Sequence, residues 1–294
     1  MDAATLKRIL AEAFTSQTGA TLREIELLPV QGGSINTSFK VRINQRDLYF
    51  AKQNAAKNFP HLFVLERSGL DYLRSMDCLR IPKVIQLWED ETDQLLLLEW
   101  VNEGKRTGEF WKRFGERLAR LHQHTSSQFG FKENNYMGSL AQVNNYASDW
   151  CRFFIEHRLL PQLDIARKAG LLEGKIIGNF EALFRRLPEI FSPEPAALLH
   201  GDLWSGNVLC DEQENPVLID PAVYYGHRSI DLGMTTLFGG FHRDFYSAYN
   251  FHYKLPSNHA EEWEVANLYP LLVHLNLFGE AYLDRIKSIL EKYL

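Results

Sequence analysis

His200-Gly201-Asp202-Leu203-Trp204-Ser205-Gly206-Asn207, followed by Val217-Leu218-Ile219-Asp220-Pro221, is the stretch of this 294-residue sequence that decides how the rest is read. Asp202 and Asn207 stand five positions apart, and Asp220 lies thirteen further on, at the end of an apolar run. A carboxylate beside an alcohol can orient it and take its proton, which gives Asp202 the part of general base. An amide oxygen and a second carboxylate are hard donors of the kind Mg²⁺ prefers, which assigns Asn207 and Asp220 to a metal. Together they predict phosphoryl transfer from Mg²⁺-bound ATP to a hydroxyl. His-Gly-Asp alone would read as a surface turn. The ordered set of loop, short hairpin and strand-terminal aspartate carries the assignment. His200 is expected to brace the loop through backbone contacts without touching substrate.

The interval from Asp202 to Asn207 is that of a kinase catalytic loop. Such a loop needs a phosphate cover and a lysine upstream, and the first third of the chain offers both. Gln31-Gly32-Gly33-Ser34-Ile35-Asn36 sits between two strand candidates, where glycines let backbone N–H groups approach phosphate oxygens. Gly32, Gly33, Ser34 and Asn36 are therefore nucleotide candidates, although a plain hairpin turn would read the same way. Lys52 ends the third strand candidate, the place of the lysine that grips the α- and β-phosphates. Glu66, among Leu62, Leu65 and Leu70, is its candidate ion-pair partner, with a solvated glutamate as the alternative. Leu96-Leu97-Leu98-Glu99-Trp100-Val101 enters a candidate hinge, where backbone groups of Glu99 and Val101 would meet the adenine edge.

Periodicity fills in the rest. Leu6, Ile9, Leu10, Ala13 and Phe14 recur at a helical interval, as do Leu62, Leu65, Leu70 and Leu73. Strands are predicted from the alternation at Phe39–Ile43 and at Leu48–Lys52, and at 83–88 and 94–100. Beyond residue 102, helices are predicted over 110–122, 150–168, 176–187 and 260–275, interrupted by one hairpin, 208–210 with 217–219. The fold class is α+β: a bilobal, protein-kinase-like fold with a β-rich N-terminal lobe (1–101) and a larger, mainly helical C-terminal lobe (102–294). A hinge between such lobes is a natural nucleotide cleft.

Bulk composition narrows the partners. A hydrophobic share of 45% and an aromatic share of 13% support a sizeable core and exclude wholesale disorder. A net charge of −5 gives no basic footprint for nucleic acid or an anionic membrane. Three widely spaced cysteines form no metal clip and fit reduced thiols. The first eight residues lack the apolar core of a signal peptide, and Leu95–Leu98 is far too short to span a bilayer, so a cytoplasmic location is expected.

Two features turn the reading from protein acceptors to small molecules. Trp204 stands two residues after Asp202, where serine/threonine kinases usually carry lysine, and Asp231 follows Asp220 too soon for a long activation segment. The short segment resembles aminoglycoside-phosphotransferase-like kinases, and in that resemblance Asp231 braces the catalytic loop through backbone N–H bonds. Within that group, His200–Asn207, Tyr225-Gly226-His227-Arg228, Asn135-Tyr136-Met137-Gly138-Ser139, Asp149–Leu159 and Leu275-Asn276-Leu277-Phe278-Gly279 together resemble the fructosamine kinases (ketosamine 3-kinases) over nearly the whole chain. The resemblance implies ATP-dependent phosphorylation of a ketosamine at its 3-hydroxyl. Elimination of that phosphate then frees the amine. It also implies a small-molecule ketosamine or glycated amine, protein lysines included, as partner, and a monomer or homodimer.

Trp204 reads equally as an apolar wall against sugar carbons and as a packed core residue, and Glu280 is a candidate for the acceptor's cationic amine. The chain departs from the family pattern at Asn134, Leu140-Ala141, Ile230 and Gly233, and Ser34 stands where some relatives place cysteine. None of these touches the phosphoryl-transfer set. Aminoglycoside, choline or homoserine kinases are the competing enzymes, and a nucleotide-binding pseudokinase is the competing non-enzyme.

Overall fold

The computed structural model describes residues 3–20, 22–30 and 35–294. Helix α1 (Ala3–Thr18) precedes an antiparallel sheet of five strands: β1 (Ile25–Pro29), β2 (Thr37–Ile43), β3 (Arg46–Ala55), β4 (Val84–Glu89) and β5 (Asp93–Glu99), in the order β1-β2-β3-β5-β4. The stripe Leu6, Ile9, Leu10, Ala13 and Phe14 packs against Val41, Ile43, Ala51, Leu95 and Leu97, so α1 covers one face of the sheet. Leu96 and Leu98, pointing the other way, join the main core. The four consecutive leucines are therefore one strand buried on both faces.

Helix α2 (Leu62–Ser75) is inserted between β3 and β4 and buries Phe63, Leu70 and Leu73 in the main core, beside Leu96 and Leu98. The helical part begins with α3 (Gly108–His122), where Thr107 accepts from the Phe110 N–H as N-cap. The short strand β6 (Thr125–Ser126) and the hairpin of β7 (Asn135–Met137) and β8 (Leu140–Gln142) follow, then α4 (Trp150–Phe154), α5 (Leu160–Lys168) and α6 (Gly174–Ile190). The helix predicted over 150–168 is continuous but widened by a π-turn at Ile155–Leu159. Pro161 has no N–H for the His157 carbonyl. That carbonyl accepts instead from Arg158 Nη1 at 3.0 Å.

Strands β9 (Ala196–Leu199), β10 (Val208–Cys210), β11 (Pro216–Leu218) and β12 (Tyr224–Gly226) follow. They form the β10–β11 hairpin and a small β12-β9-β6 sheet. The last helices are α7 (Ser229–Met234), α8 (Arg243–His252), α9 (His259–Ala266), α10 (Leu268–Phe278) and α11 (Leu283–Tyr293). The helix expected over 260–275 is thus two. Asn267 separates them, its amide nitrogen drawn to the Gly233 carbonyl at 2.9 Å and to Thr236 Oγ1 at 3.2 Å. The β-rich start and helical remainder meet along a cleft of about 850 Å³.

Candidate active site

The loop 200–207 connects β9 to β10, and its shape depends on a glycine. Gly201 has φ +85°, and a Cβ there would lie 2.0 Å from the Ala222 carbonyl oxygen. Because Gly201 has no side chain, the loop lies directly on the segment that carries Asp220. Fully buried Asp231 accepts from the His200 and Gly201 N–H groups at 2.7 and 2.9 Å, and His122 Nε2 lies 3.2 Å from it. His200 is also buried, and its Nε2 donates to the Ile219 carbonyl at 2.9 Å while Nδ1 accepts from the Asp202 N–H at 3.3 Å. Burial lowers the His200 pKa, which keeps the ring neutral and Nδ1 able to accept. Both residues act through backbone atoms.

Asp202 and Asn207 are joined directly. The Asn207 amide nitrogen donates to the Asp202 carbonyl and to its Oδ2, each at 2.8 Å. Burial pushes the Asp202 carboxyl up to about 7, Asn207 pulls it back, and Asp220 and Asp231 push it further up. The Ile219 N–H donates to the Asn207 carbonyl at 3.1 Å, which ties the end of the hairpin to the loop. The strand itself ends at Leu218, and Asp220 follows in the left-handed region with φ +55°. Non-glycine residues seldom take that conformation.

Lys52, on β3, is 3% exposed and reaches both Glu66 Oε1, at 2.8 Å, and Asp220 Oδ1. Burial opposes its charge, but Asp220 and Glu66 outweigh it and raise the lysine pKa. A cation so enclosed is stable only with both carboxylates beside it. Lys52, Glu66, Asp202, Asn207 and Asp220 all line the cleft, and so do Asn36, Val101 and Trp204. For Mg²⁺, the Asp220 carboxylate and the Asn207 amide oxygen are the donors that fit. The Asn207 nitrogen is turned to Asp202, which leaves the oxygen for a cation.

Other sequence candidates sit differently. Gly32, Gly33 and Ser34 lie outside the described residues. Glu99 does not line the cleft: its carboxylate is held by Arg80 Nη2 at 2.9 Å and its N–H donates to the Lys83 carbonyl at 2.9 Å. Only its carbonyl is left for an adenine. Glu280 is exposed on a short 3₁₀ turn and is not among the residues that line the cleft.

Sequence reasoning gave no role to the far end of the cleft, formed by Tyr136, Met137 and Gly138 from the β7–β8 hairpin and by Val273, His274, Leu277 and Phe278 from α10. It also gave none to a buried polar chain beneath that hairpin. Gln142 donates to Asn135 Oδ1 at 2.7 Å and to the Ala222 carbonyl at 3.3 Å, and accepts from Tyr269 at 2.7 Å. Asn135 donates to the Val223 carbonyl at 2.9 Å. Asn144 donates to Asn135 at 3.0 Å and accepts from Arg158 at 2.6 Å. The residues just after Asp220 are thus clamped from the side of the β7–β8 hairpin.

The fructosamine kinase sequence model matches residues 6–294. The chain belongs to the fructosamine kinase family. Two relatives carry related names: the Probable ketoamine kinase of Enterococcus faecium is 36% identical over 272 residues, covering 91% of this chain and 95% of that one. The Protein-ribulosamine 3-kinase, chloroplastic, of Arabidopsis thaliana is 34% identical over 274 residues, covering 90% and 81%. A solved candidate fructosamine-3-kinase from Thermobifida fusca superimposes with a TM-score of 0.83 at 32% identity over 96% of this chain and 98% of that one. An aminoglycoside 2′-phosphotransferase, at 12% identity, shares the fold with a TM-score of 0.61 over 97% and 96%. This fructosamine kinase family member therefore has the α+β, protein-kinase-like architecture of both groups. No helix among its described residues is long and apolar enough to cross a membrane.

Proposed function

We propose that the chain transfers the γ-phosphoryl group of ATP to the 3-hydroxyl of a ketosamine, in a reaction that uses Mg²⁺. The observation that carries this reading is the meeting of Lys52, Asp220, Asn207 and Asp202 in one cleft, with an uncharged, ring-lined end beyond them. Lys52, kept charged by its two carboxylates, binds phosphate oxygens. Asp202 orients the acceptor hydroxyl and receives its proton. A carboxyl whose pKa is raised towards 7 is a stronger base than an exposed one, and it is matched to neutral pH. Asn207 holds the Asp202 carboxylate in place, while Asp231 and His200 fix the backbone beneath it. Mg²⁺, held by Asp220 and the Asn207 oxygen, would neutralise charge on the phosphate oxygens.

Ketosamines on free amino acids and on protein lysines are both proposed acceptors, and the cytoplasm is the proposed location. An acceptor panel with ATP tests the reading: fructoselysine and ribuloselysine against kanamycin, choline and homoserine. Turnover of a ketosamine is expected, with none of the other three. Phosphorylation of kanamycin, choline or homoserine alone would move the chain to another activity. ATP binding without any turnover would make it a pseudokinase.

A further inference from the structure

We propose that the aromatic group at the acceptor end of the cleft, with Phe238 and Phe278 at its lip, is the subsite for the cationic amine arm of the acceptor. This rests on the reading of the chain as a ketosamine kinase. A ketosamine with its 3-hydroxyl at Asp202 carries a protonated secondary amine two carbons away, and something must face that charge. The sequence suggested a carboxylate, Glu280, but that side chain is exposed and off the cleft. The side chains that α10 gives this end are Val273, His274, Leu277 and Phe278, none of them acidic.

Rings stand there instead. Phe238 lies 5.8 Å from Trp204, edge to face, and 4.9 Å from His274. His274 lies 5.5 Å from Phe278 and 5.0 Å from Tyr282. Trp204, His274 and Phe278 line the cleft, and Phe238, outside that lining, packs on Trp204 and His274, so the group continues the lining outward. Phe238 and Phe278 are 42% and 50% exposed. Two such phenylalanines at the mouth of a cleft form a patch, unlike a lone exposed ring such as Phe251.

The backbone adds an independent observation. Phe238 is left-handed, with φ +54°, and Gly239 and Gly240 follow at +101° and +71°. Holding a bulky aromatic residue in this region is costly, and such strain collects at ligand sites. His274 does not oppose a cation. Burial lowers its pKa and leaves it neutral. Its Nδ1–H donates to the Pro270 carbonyl at 2.7 Å, so Nε2 keeps its lone pair, without a partner among the described residues. An ammonium at this end meets ring faces and one nitrogen lone pair, a suitable environment for a cation.

The test uses two acceptors that share one ketose: a ketosamine with a protonatable secondary amine, and its N-acetylated counterpart, whose nitrogen is a neutral amide. Phe278→Leu and Phe238→Leu are each expected to raise KM for the cationic acceptor about three- to tenfold, the range of a partly desolvated cation–π contact. The expected kcat and KM for ATP stay within about twofold, and KM for the acetylated acceptor changes by less than about twofold. Phe278→Tyr, which keeps a ring, is expected to restore the parent KM, and Glu280→Gln to leave it unchanged. Thermal melts accompany each variant, and Phe278→Leu decides alone if the strained Phe238 position does not tolerate leucine. Equal effects on both acceptors, no effect on either, or a KM rise in Glu280→Gln would overturn the subsite. Absence of turnover of any ketosamine by the parent protein would instead overturn the functional reading, and the subsite with it.

Discussion

At the scale of single residues, Asp202 is where activity and stability conflict. Its carboxyl ionises at about 7 in the folded chain against 3.8 when free, chiefly because it is buried. The folded state therefore keeps a proton that the unfolded chain has already lost. Folding is penalised progressively as pH rises through that interval, and the penalty is constant above it. Asp202→Asn removes the charge while keeping the shape. Without nucleotide or Mg²⁺, the variant is expected to melt above the parent, by a wider margin at pH 8 than at pH 5. Its kcat should fall at least about a hundredfold, the cost of a lost general base. Differential scanning fluorimetry at the two pH values checks the first part, and an equal margin at both would sink it. Most of this residue set could be read from the sequence because motif spacing, strand ends and helical faces fix where Lys52, Glu66, Asn207 and Asp220 point. Glu280 falls outside the cleft lining, which the sequence could not show, because a glutamate after a helix gives no clue to which side the chain turns. The aromatic end was missed because Phe238 and Phe278, forty residues apart, come together around His274 and Tyr282 only in three dimensions.

At the scale of elements, long periodic segments were legible and short or two-faced ones were not. The helices α1, α2, α3 and α6 follow apolar stripes. Strands β9 and β12, only four and three residues long, are held by partners far away in sequence and leave no period to read. The break at Asn267 was hidden because the apolar pattern runs through it, and only the amide's bonds to Gly233 and Thr236 explain the stop. The β7–β8 hairpin shows what such elements contribute. It lines the acceptor end with one face and, through Gln142 and Asn135, holds the Ala222 and Val223 carbonyls beside Asp220 with the other. Gln142→Leu conserves volume but strands the Tyr269 hydroxyl and loosens that clamp. Each unpaired buried group costs about 1–3 kcal/mol. The expected result is a melting temperature several degrees lower, with kcat reduced about tenfold in the molecules that remain folded, since small misplacements at a reacting centre are costly. A kcat per folded molecule equal to the parent's would show that the hairpin supports the fold without positioning Asp220.

At the scale of the whole molecule, the question is what fixes the β-rich part against the helical part, across the boundary we propose near residue 101. Among the ties that cross it are an ion pair and a backbone bond, each supported on one side. Arg80 pairs with Asp211 across it at 2.7 Å and with Glu99 on its own side at 2.9 Å. The Leu218 N–H donates across it to the Arg80 carbonyl at 3.1 Å, and within the helical part the Gly104 N–H donates to the Cys210 carbonyl at 2.8 Å, which seats the same hairpin. The ion pairs look stronger, but magnitudes point the other way. Arg80 is 37% exposed at its side chain, so solvent screens its pairs. Asp211 keeps bonds from the Gln213 and Asn215 N–H groups at 2.9 and 2.8 Å when the arginine is gone. Arg80→Met should therefore cost about 1 kcal/mol, equivalent to roughly 2–4 °C in a chain of this size. Gly104 has no such margin: a Cβ there would fall 2.0 Å from the Asp211 carbonyl oxygen, backbone against backbone. Gly104→Ala must push the β10–β11 hairpin away from the segment that follows the hinge strand, and the Asn207–Ile219 link carries that shift to Asp220. The methyl group is therefore expected to lower the melting temperature more than the lost cation does, and to raise KM for ATP severalfold, while Arg80→Met leaves it within about twofold. Melting curves and ATP titrations on the two variants settle the order. If Arg80→Met proves the more damaging in both, the two parts are held by charge, and the close backbone contact that seats the hairpin at Gly104 is incidental.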